Sequence, residues 1–369
     1  MKDEQHTTSL SVLRISYLDA MQRGSGRAAD QVVQQALDSG TVAGEVYLDI
    51  FQPTAYEIGR LWQNNQFSVA QEHLATAIIE RQMGELHPLF RPQPPRSNCP
   101  HTLVIGCVPN EQHRVGARMV ADFFEADGWE VHYLGAAVPI SSFVEMAKEF
   151  QADLIGLSAQ MVYHVPHISE FAHELNRHSL NNIPVMVGGM PFVQQPELVN
   201  TLNVRFSAAD ARQAVDRANR MFAAPGSAVA PPRPPEAAPL ATLEAFQQAR
   251  RQIIQYATAR SLERDNEVAP LGNRAEQIIA AGFEFTTRML ETAMALQNTT
   301  LLEEQLAWGN QRQPHDGVTP AHLLSRFMLY AEAVSAMLPT DHAAAVNQYV
   351  HWMIARQQEI VDQSRNSNP

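Results

Sequence analysis

Four short apolar runs in the middle of the chain predict the strands of a β-sheet. They are Leu103–Val108, Glu130–Gly135, Asp153–Ser158 and Ile183–Gly189. Each run is separated from the next by a segment long enough to form a helix. Strands that alternate with helices in this way are typical of a doubly wound, parallel α/β domain. We therefore expect an α/β domain over residues 101–222.

The segment before this domain, residues 10–90, has apolar positions at helical spacing and predicts a bundle of helices. The candidates are Ala28–Leu37, Val42–Phe51, Ala55–Trp62 and Val69–Leu86. Pro53 is expected in a short link between two helices, where its missing N–H costs little. Ser68 followed by Gln71 predicts a capping box, which would fix the start of the last helix.

The C-terminal part, residues 241–363, is predicted to be all-α. Its helix candidates are Leu243–Arg264, Arg274–Trp308, Pro320–Leu338 and His342–Val361, and the second is expected to break near residues 297–300. Thr319 is a candidate N-cap, because Pro320 suits the first turn of a helix. Two proline-rich stretches, residues 91–101 and 223–240, are expected to be extended linkers. The chain is thus predicted to have three domains.

Composition narrows the function classes. The net charge of −12 argues against a nucleic-acid-binding surface, which would need a basic stripe. The two cysteines, Cys99 and Cys107, do not have the spacing of a C-x-x-C metal pair, so a reducing cytoplasm is expected. We find no signal-peptide pattern and no apolar stretch long enough to span a membrane. We therefore expect a soluble, cytoplasmic protein.

The loop after the first predicted strand contains the most distinctive chemistry, Glu111-x-His113-x-x-Gly116. In open α/β sheets, ligands bind at the carboxyl ends of the strands, where this loop would lie. A histidine there can coordinate a docked ligand, and Glu111 can accept the hydrogen bond of its other ring nitrogen. Gly116 would let a flat ligand approach the backbone closely. A lone loop histidine is more often simply solvated, so the interpretation of His113 as a ligand depends on the rest of the sequence.

That context is provided by Ser158 and the pair Gly188 and Gly189, which also end predicted strands. Together with His113 and Gly116 they resemble the cobalamin-binding domain of B12 proteins that bind the cofactor "base-off, His-on". The resemblance implies a flavodoxin-like (Rossmann-type) fold with His113 as the lower ligand of cobalt. The displaced nucleotide tail would enter a slot lined by Ser158, Gly188 and Gly189. The alternative is a flavodoxin-like domain without a cofactor.

Two departures from this family pattern matter. Glu111 stands where an aspartate is usual, and Ser158-Ala159-Gln160 replaces the usual S-x-L. A glutamate at the first position is typical of the light-sensing branch of the family rather than of the methyl-transfer enzymes.

Within the predicted bundle, Trp62, Glu72 and His73 form the pattern W-x9-E-H. Trp62 would end one helix and the other two would start the next, so that all three can converge on one cavity. Taken alone they fit a core tryptophan beside a solvated Glu–His pair. Beside a cobalamin domain they resemble the light-dependent, adenosylcobalamin-binding repressors of carotenoid synthesis.

This second resemblance implies a role for each residue. Trp62 would pack on the adenosyl group, Glu72 would hydrogen-bond it, and His73 would become the upper cobalt ligand after light breaks the cobalt–carbon bond. Only about nine residues precede the bundle, so we expect no winged-helix domain and no DNA binding.

The C-terminal helical domain contains a predicted loop, residues 306–317, with Trp308, Arg312 and His315. A globin-like domain would place such a loop at a tetrapyrrole pocket, and the whole architecture resembles the photocobilins, which pair B12 with biliverdin. No cysteine follows Cys107, so biliverdin would be bound non-covalently. A helical dimerisation domain without a ligand is the alternative.

The favoured function is therefore that of a photoreceptor rather than an enzyme. It would use adenosylcobalamin and form a homo-oligomer whose state depends on light, with an output partner that the sequence does not reveal. The alternative is the corrinoid methyl carrier of a methyltransferase system, which also has a helical cap over the sheet domain. A radical mutase subunit would need a barrel, and eight strand–helix repeats are not present in the pattern.

Overall fold

The computed structural model describes residues 2–90, 101–202, 204–223, 240–264, 268–312 and 317–366. It divides into two compact units, Met1–Pro234 and Pro235–Pro369. The boundary falls within the stretch predicted as a linker, of which residues 224–239 lie outside the described part. The predicted linker at residues 91–101 likewise lies outside it, apart from its last residue.

The first unit begins with a helical bundle. Its helices are α1 (Lys2–Gln22), α2 (Gly26–Asp38), α3 (Ala43–Glu45), α4 (Gln52–Gln63) and α5 (Val69–Leu86), with a π-helical segment at Val46–Phe51 between α3 and α4. Helix α1 was not among the helices predicted from the sequence. The core of the bundle contains the fully buried rings of Tyr17, Tyr47 and Phe51.

The predicted link at Pro53 is wrong, because the chain is helical from Ala43 through Gln63. Pro53 lies in the first turn of α4, directly after the π-helical segment. It has no N–H to donate, and the N–H of Gln52 bonds to the carbonyl of Tyr47, five residues earlier. The wider π-helical turn thus accommodates the proline without ending the helix.

The second part of the first unit is the α/β domain. Its elements in chain order are β1 (Thr102–Cys107), α6 (Val115–Ala126), β2 (Glu130–Tyr133), α7 (Ile140–Glu149), β3 (Leu154–Ser158), α8 (Pro166–Arg177), β4 (Val185–Gly188), α9 (Met190–Gln194), α10 (Leu198–Thr201), β5 (Phe206–Ser207) and α11 (Ala211–Ala223). The sheet is parallel, with strand order β2-β1-β3-β4-β5. The predicted doubly wound fold is confirmed, and β5 is an additional strand.

The register of the sheet brings three strand ends together. Cys107 at the end of β1 pairs with Ser158 at the end of β3, and Ser158 pairs with Gly188 at the end of β4. The chain turns to opposite sides after β1 and β3, which makes their carboxyl ends the topological switch point. Ligands of open α/β sheets bind in the crevice at this point.

The bundle and the sheet domain are joined beside this crevice. The Tyr47 hydroxyl lies 2.9 Å from the carboxylate of Asp122 on α6. Arg114, next to the end of the β1 loop, forms an ion pair of 2.7 Å with Glu80 on α5. Helix α5 is therefore held directly above the loop that contains His113.

The second unit is all-α, as predicted. Its described helices are α12 (Leu240–Leu262), α13 (Ala275–Ala295), α14 (Leu301–Arg312), α15 (Pro320–Met337) and α16 (Thr340–Asn366). Phe246, Phe283 and Tyr330 are fully buried in its core. The predicted break lies between α13 and α14, where Gln297 has a φ of +50°. That this unit is globin-like stays a prediction.

One predicted loop in this unit is wrong in part. Residues 306–312 belong to helix α14 rather than to a loop. Gly309, within the predicted loop, is buried, and a Cβ at this position would lie 3.6 Å from Leu323 on α15. This glycine thus faces a neighbouring helix rather than forming a turn. Among the described residues, no helix is long and apolar enough to cross a membrane.

Candidate cofactor-binding site

His113 and Glu111 form a tightly held pair at the end of β1. The Nδ1 atom of His113 lies 2.5 Å from Oε1 of Glu111, and the same oxygen accepts the backbone N–H of His113 at 3.0 Å. The His113 side chain is 52% exposed, whereas that of Glu111 is fully buried. Because Nδ1 donates to the carboxylate, Nε2 keeps its lone pair for a metal.

The second oxygen of Glu111 is held equally firmly. It accepts the backbone N–H groups of Gln160 and Met161 at 2.8 and 3.0 Å, and it lies 3.0 Å from Nδ1 of His164. Burial works to raise the pKa of Glu111, but the hydrogen bonds from His113 and His164 overcome it, so that the pKa lies below the ordinary value. The carboxylate is therefore ionised and fixed in orientation.

The sequence did not predict that His164 belongs to the site. It is buried in a short 3₁₀ turn, Val162–His164, and reaches Glu111 from a position 53 residues away. A contact over this separation has no periodic signal along the chain. Gln160 was noted only as a departure from the family pattern, although its backbone N–H binds Glu111 and its side chain accepts from Met190 at 3.3 Å.

A cavity of about 450 Å³ lies over the carboxyl ends of the strands. Eight of the predicted residues line it: Trp62, Glu72, His73, His113, Gly116, Ser158, Gly188 and Gly189. Glu111 lies behind His113 rather than in the lining. The residues predicted in the first unit are thus brought together around one cavity, but their roles as ligands of a cofactor stay predictions.

The upper wall of the cavity is formed by the end of α4 and the first turn of α5. The predicted capping box is present: Ser68 accepts the N–H of Gln71, and Gln71 accepts the N–H of Ser68. It starts α5 so that Glu72 and His73 lie in the first turn, opposite the end of α4 with Trp62.

The side chains of this turn are connected to one another. Nδ1 of His73 lies 2.7 Å from one carboxylate oxygen of Glu72, and the hydroxyl of Thr76 donates to the other at 2.9 Å. The His73 side chain is 74% exposed. Thr76, which the sequence reasoning missed, therefore helps to orient Glu72. His73 keeps its Nε2 available for coordination.

Three glycines shape the lower wall. A Cβ at Gly116 or Gly188 would meet no atom within 4 Å, so the missing side chains leave space in the cavity. Gly189 has a φ of +116°, and its Cβ would lie 2.0 Å from the carbonyl oxygen of Ala159. Only glycine fits there. A wall of this kind suits a flat, bulky ligand, and the neighbouring imidazole suits a metal at its centre.

The electrostatics agree with a metal-binding histidine. The hydrogen bond to Glu111 raises the pKa of His113, burial opposes it, and the charge of Glu72 also raises it. A basic imidazole is a strong donor to a metal, and a carboxylate partner further raises its basicity.

A second group of possible metal ligands lies between the bundle and α6. Among the described residues, His87, Asp122 and Glu125 place their ligand atoms close together. Arg118 already donates to Asp122 at 2.6 Å, and Tyr47 occupies its other oxygen. The cation of Arg118 takes the place that a metal would need, so we interpret this group as a structural junction.

Most of the predicted tetrapyrrole site of the second unit falls outside the part of the chain that the structure describes. Trp308 and Arg312 lie on α14, but their side chains are not among the described residues. His315 lies outside the described residues altogether. These three positions stay predictions.

Comparison with known proteins gives matches to both parts of the first unit. Residues 101–216 and residues 14–87 each match a family model described as a B12 binding domain. "Dimethylamine corrinoid protein 1" of Methanosarcina acetivorans is 31% identical over 168 residues, which cover 45% of this chain and 78% of the relative. "Dimethylamine corrinoid protein 3" of Methanosarcina mazei is 29% identical over 168 residues, covering 45% of this chain and 99% of the relative.

Among solved structures, the chain resembles the monomethylamine corrinoid protein of Methanosarcina barkeri. The TM-score is 0.50, and the match covers 56% of this chain and 96% of that chain at 18% identity. At this identity the likeness supports the fold alone.

Proposed function

This chain belongs to the family of B12-binding corrinoid proteins, and from this premise we propose that it carries a methyl group on a cobalamin for partner proteins. The observation that supports this proposal most directly is the Glu111–His113 pair. It lies at the rim of a cavity whose lower wall lacks side chains at Gly116 and Gly188. Relatives named after methylated amines match this chain over 168 residues. They support the methyl-carrier alternative more than the light-sensing function favoured by the sequence.

In this proposal each residue has a defined task. His113 would bind cobalt from below through Nε2, and Glu111 would fix its ring and tautomer. Ser158, Gly188 and Gly189 would line the path of the displaced nucleotide tail. A bound cobalamin supplies a cobalt centre that accepts and releases an alkyl group on its upper face and whose cobalt–carbon bond is cleaved by light. Because partner enzymes would catalyse the transfers, the chain itself would be a carrier rather than an enzyme.

A light sensor is the second candidate, and one observation favours it. Trp62, Glu72 and His73 line the same cavity as His113, on its opposite wall. A carrier needs access to the upper face of the cofactor, whereas a tryptophan and a histidine there would cover it. In the light-sensing role Trp62 would pack on the adenosyl group of adenosylcobalamin, and His73 would take the upper cobalt position after photolysis.

One experiment separates these two functions. The full-length protein, loaded with cobalamin and reduced with titanium(III) citrate, is mixed with iodomethane, and methylation is followed by absorption. If the protein is a carrier, its bound cobalamin should be methylated at a rate within about tenfold of that of free cobalamin, because the upper face of the cofactor must be accessible. The His73→Ala variant is the matched control for shielding by the cap.

The second arm uses light. The protein loaded with adenosylcobalamin is chromatographed in the dark and after green light. An unchanged elution volume, with rapid methylation in the first arm, supports the carrier. The light-sensing function would instead be supported by two results together. Methylation of the parent would be slow and faster in His73→Ala, and the elution volume would depend on light.

Biliverdin binding by the second unit is part of the light-sensing proposal. The matches to the two B12 binding domain models end at residue 216, before this unit. Its contribution to function is therefore tested separately from that of the first unit.

A further inference from the structure

Helix α5 lies over the cavity with its first half and against α6 with its second half. The first half lines the cavity through Val69, Glu72, His73, Thr76 and Ile79. The second half contacts α6 through Glu80 and Met83. These positions recur every three or four residues and therefore share one face of the helix. The same face thus spans the cavity near the start of α5 and is anchored near its end.

The anchored end of α5 is held by buried contacts. The hydroxyl of Tyr47, a fully buried residue, lies 2.9 Å from the carboxylate of Asp122 on α6 and 3.0 Å from the carbonyl oxygen of Met83. Met119 of α6 is itself a member of the bundle core. Separation of this end from α6 would expose apolar surface and leave buried polar groups without partners, and both are costly. This junction is therefore expected to stay closed.

An exposed ion pair lies between the anchored end and the cavity. Glu80, three residues before Met83, lies 2.7 Å from Arg114, and the two side chains are 28% and 49% exposed. Arg114 directly follows His113, and its carbonyl oxygen accepts the hydroxyl of Tyr133 at 3.3 Å. An ion pair of this exposure contributes little stability and is screened by salt. It is therefore a weaker support of α5 than the buried junction.

The length of α5 converts a small tilt into a large movement of its first turn. Glu72 lies eleven residues before Met83, or about 16 Å along the helix axis. A tilt of about 20° at Met83 would move Glu72 by about 6 Å and Glu80 by about 1.6 Å. The smaller movement is enough to break the ion pair with Arg114, and the larger one would lift the first turn away from the cavity.

We propose that α5 tilts about its anchored end to uncover the upper side of the cavity, and that the Glu80–Arg114 ion pair restrains this tilt. The two residues are positioning residues, since neither lines the cavity. The tilt would also lengthen the exposed hydrogen bond of 3.2 Å from Gln52 to the carbonyl of Ala209. The use of the tilt in methyl transfer rests on the proposed function, whereas the tilt itself does not.

The tilt can be measured in the full-length protein without cobalamin, as distances between pairs of spin labels. The labels are attached to introduced cysteines in a Cys99→Ser background, and the remaining Cys107 is buried. Ala70→Cys with Arg212→Cys reports on the start of α5. Glu85→Cys with Arg212→Cys reports on its anchored end. All three labelled positions are exposed.

Removal of the ion pair should favour the tilted state. We expect Glu80→Gln to raise the population with a longer distance between positions 70 and 212 about threefold, the effect of losing one exposed ion pair. The distance between positions 85 and 212 should stay the same. An unchanged distribution for positions 70 and 212 would overturn the restraint. Equal lengthening of both distances would overturn the tilt, because the bundle would then move as a whole.

Controls separate charge pairing from a general loss of structure. The double variant Glu80→Arg with Arg114→Glu restores opposite charges and should restore the parental distances. Salt at about 1 M should shift the parent towards the tilted state and leave Glu80→Gln unchanged, because it screens the ion pair. Asp19→Asn removes an exposed ion pair within α1 and should change neither distance. Arg114→Gln carries the test if Glu80→Gln does not fold. Failure of both the charge exchange and the salt response would contradict the proposal.

Methylation by iodomethane tests the use of the tilt. With reduced cobalamin bound, Glu80→Gln should be methylated about threefold faster than the parent, in proportion to the tilted population. If the distances respond as expected but the protein does not bind or methylate cobalamin, the proposed function fails and the tilt stands. If the distances do not respond, the tilt fails whatever the methylation rate.

Discussion

The Nδ1 atom of His164 lies 3.0 Å from the oxygen of Glu111 that does not hold His113. Glu111 therefore stands between two histidines, one of which is buried and one at the rim of the cavity. We predict that His164→Ala lowers the affinity for cobalamin about tenfold, the lower end of the effect of removing a metal ligand's hydrogen-bonded partner, because His164 would act through Glu111. Equilibrium dialysis and the spectrum of the bound corrinoid measure it.

His164→Asn provides the control for this prediction. Its side-chain amide can still donate to Glu111, so it should recover most of the lost affinity. Thermal unfolding of the cobalamin-free variants shows whether the alanine variant is merely unstable. Equal affinities of His164→Ala and the parent protein would show that His164 has no part in orienting Glu111.

His113 itself should have the largest effect on the lower face. We expect His113→Ala to lose the His-on spectrum and to weaken cobalamin binding strongly, because it would remove the proposed bond to cobalt together with the imidazole that Glu111 orients. His178→Ala is the matched control, since His178 pairs with Glu174 on α8 and does not line the cavity. A parental spectrum and affinity in His113→Ala would contradict the assignment.

The pH dependence of stability should report on Glu111. Burial raises the pKa of this carboxyl, but the bonds from His113 and His164 overcome it and hold the pKa below its ordinary value. A carboxyl whose pKa is depressed in the folded state stabilises the fold above its unfolded pKa, about 4.3, and this stabilisation is lost as the pH falls further. The unfolding free energy of the cobalamin-free protein should therefore decrease more steeply with acidification than that of Glu111→Gln.

Urea unfolding at about pH 6 and about pH 3.5 measures this difference. Glu111→Gln should have a lower unfolding free energy than the parent at the higher pH, and this difference in unfolding free energy should be smaller at the lower pH. Glu170→Gln changes an exposed carboxyl and should show no such narrowing. A gap that stays constant between the two pH values would mean that the depressed pKa of Glu111 does not contribute.

The fold could be predicted from the sequence wherever one local signal was sufficient. Strands β1, β3 and β4 are largely continuous apolar runs, as expected of parallel strands covered on both faces. Strand β5, Phe206–Ser207, was missed because two residues form no pattern. The helix through Pro53 was missed because its π-helical turn depends on hydrogen bonding rather than on residue type.

The site could be predicted only in part for the same reason. His113 and its carboxylate are two residues apart, and the glycines end recognisable strands. His164 meets Glu111 through tertiary structure, and Thr76 meets Glu72 on a turn whose cavity exists only after folding.

The light-sensing candidate makes a prediction about His73. Adenosylcobalamin should bind equally well to the parent protein and to His73→Ala in the dark, because His113 would hold cobalt from below in both. After green light, only the parent should give a bis-histidine spectrum, since His73 would supply the second imidazole. Absorption before and after illumination measures this, and identical photoproducts would exclude His73 as the upper ligand. His167→Ala is the matched control, because His167 does not line the cavity.

The final prediction concerns biliverdin in the second unit. A bilin has two propionates that need cationic partners and a conjugated system that favours aromatic walls. Trp308 and Arg312 are four residues apart in the sequence of α14 and supply one group of each kind. Biliverdin added to the full-length protein should give a red-shifted band, which Arg312→Ala weakens and the exposed control Arg260→Ala leaves unchanged. Denaturant should release the pigment, because no cysteine follows Cys107. An unchanged biliverdin spectrum would instead leave the second unit as a helical domain for assembly.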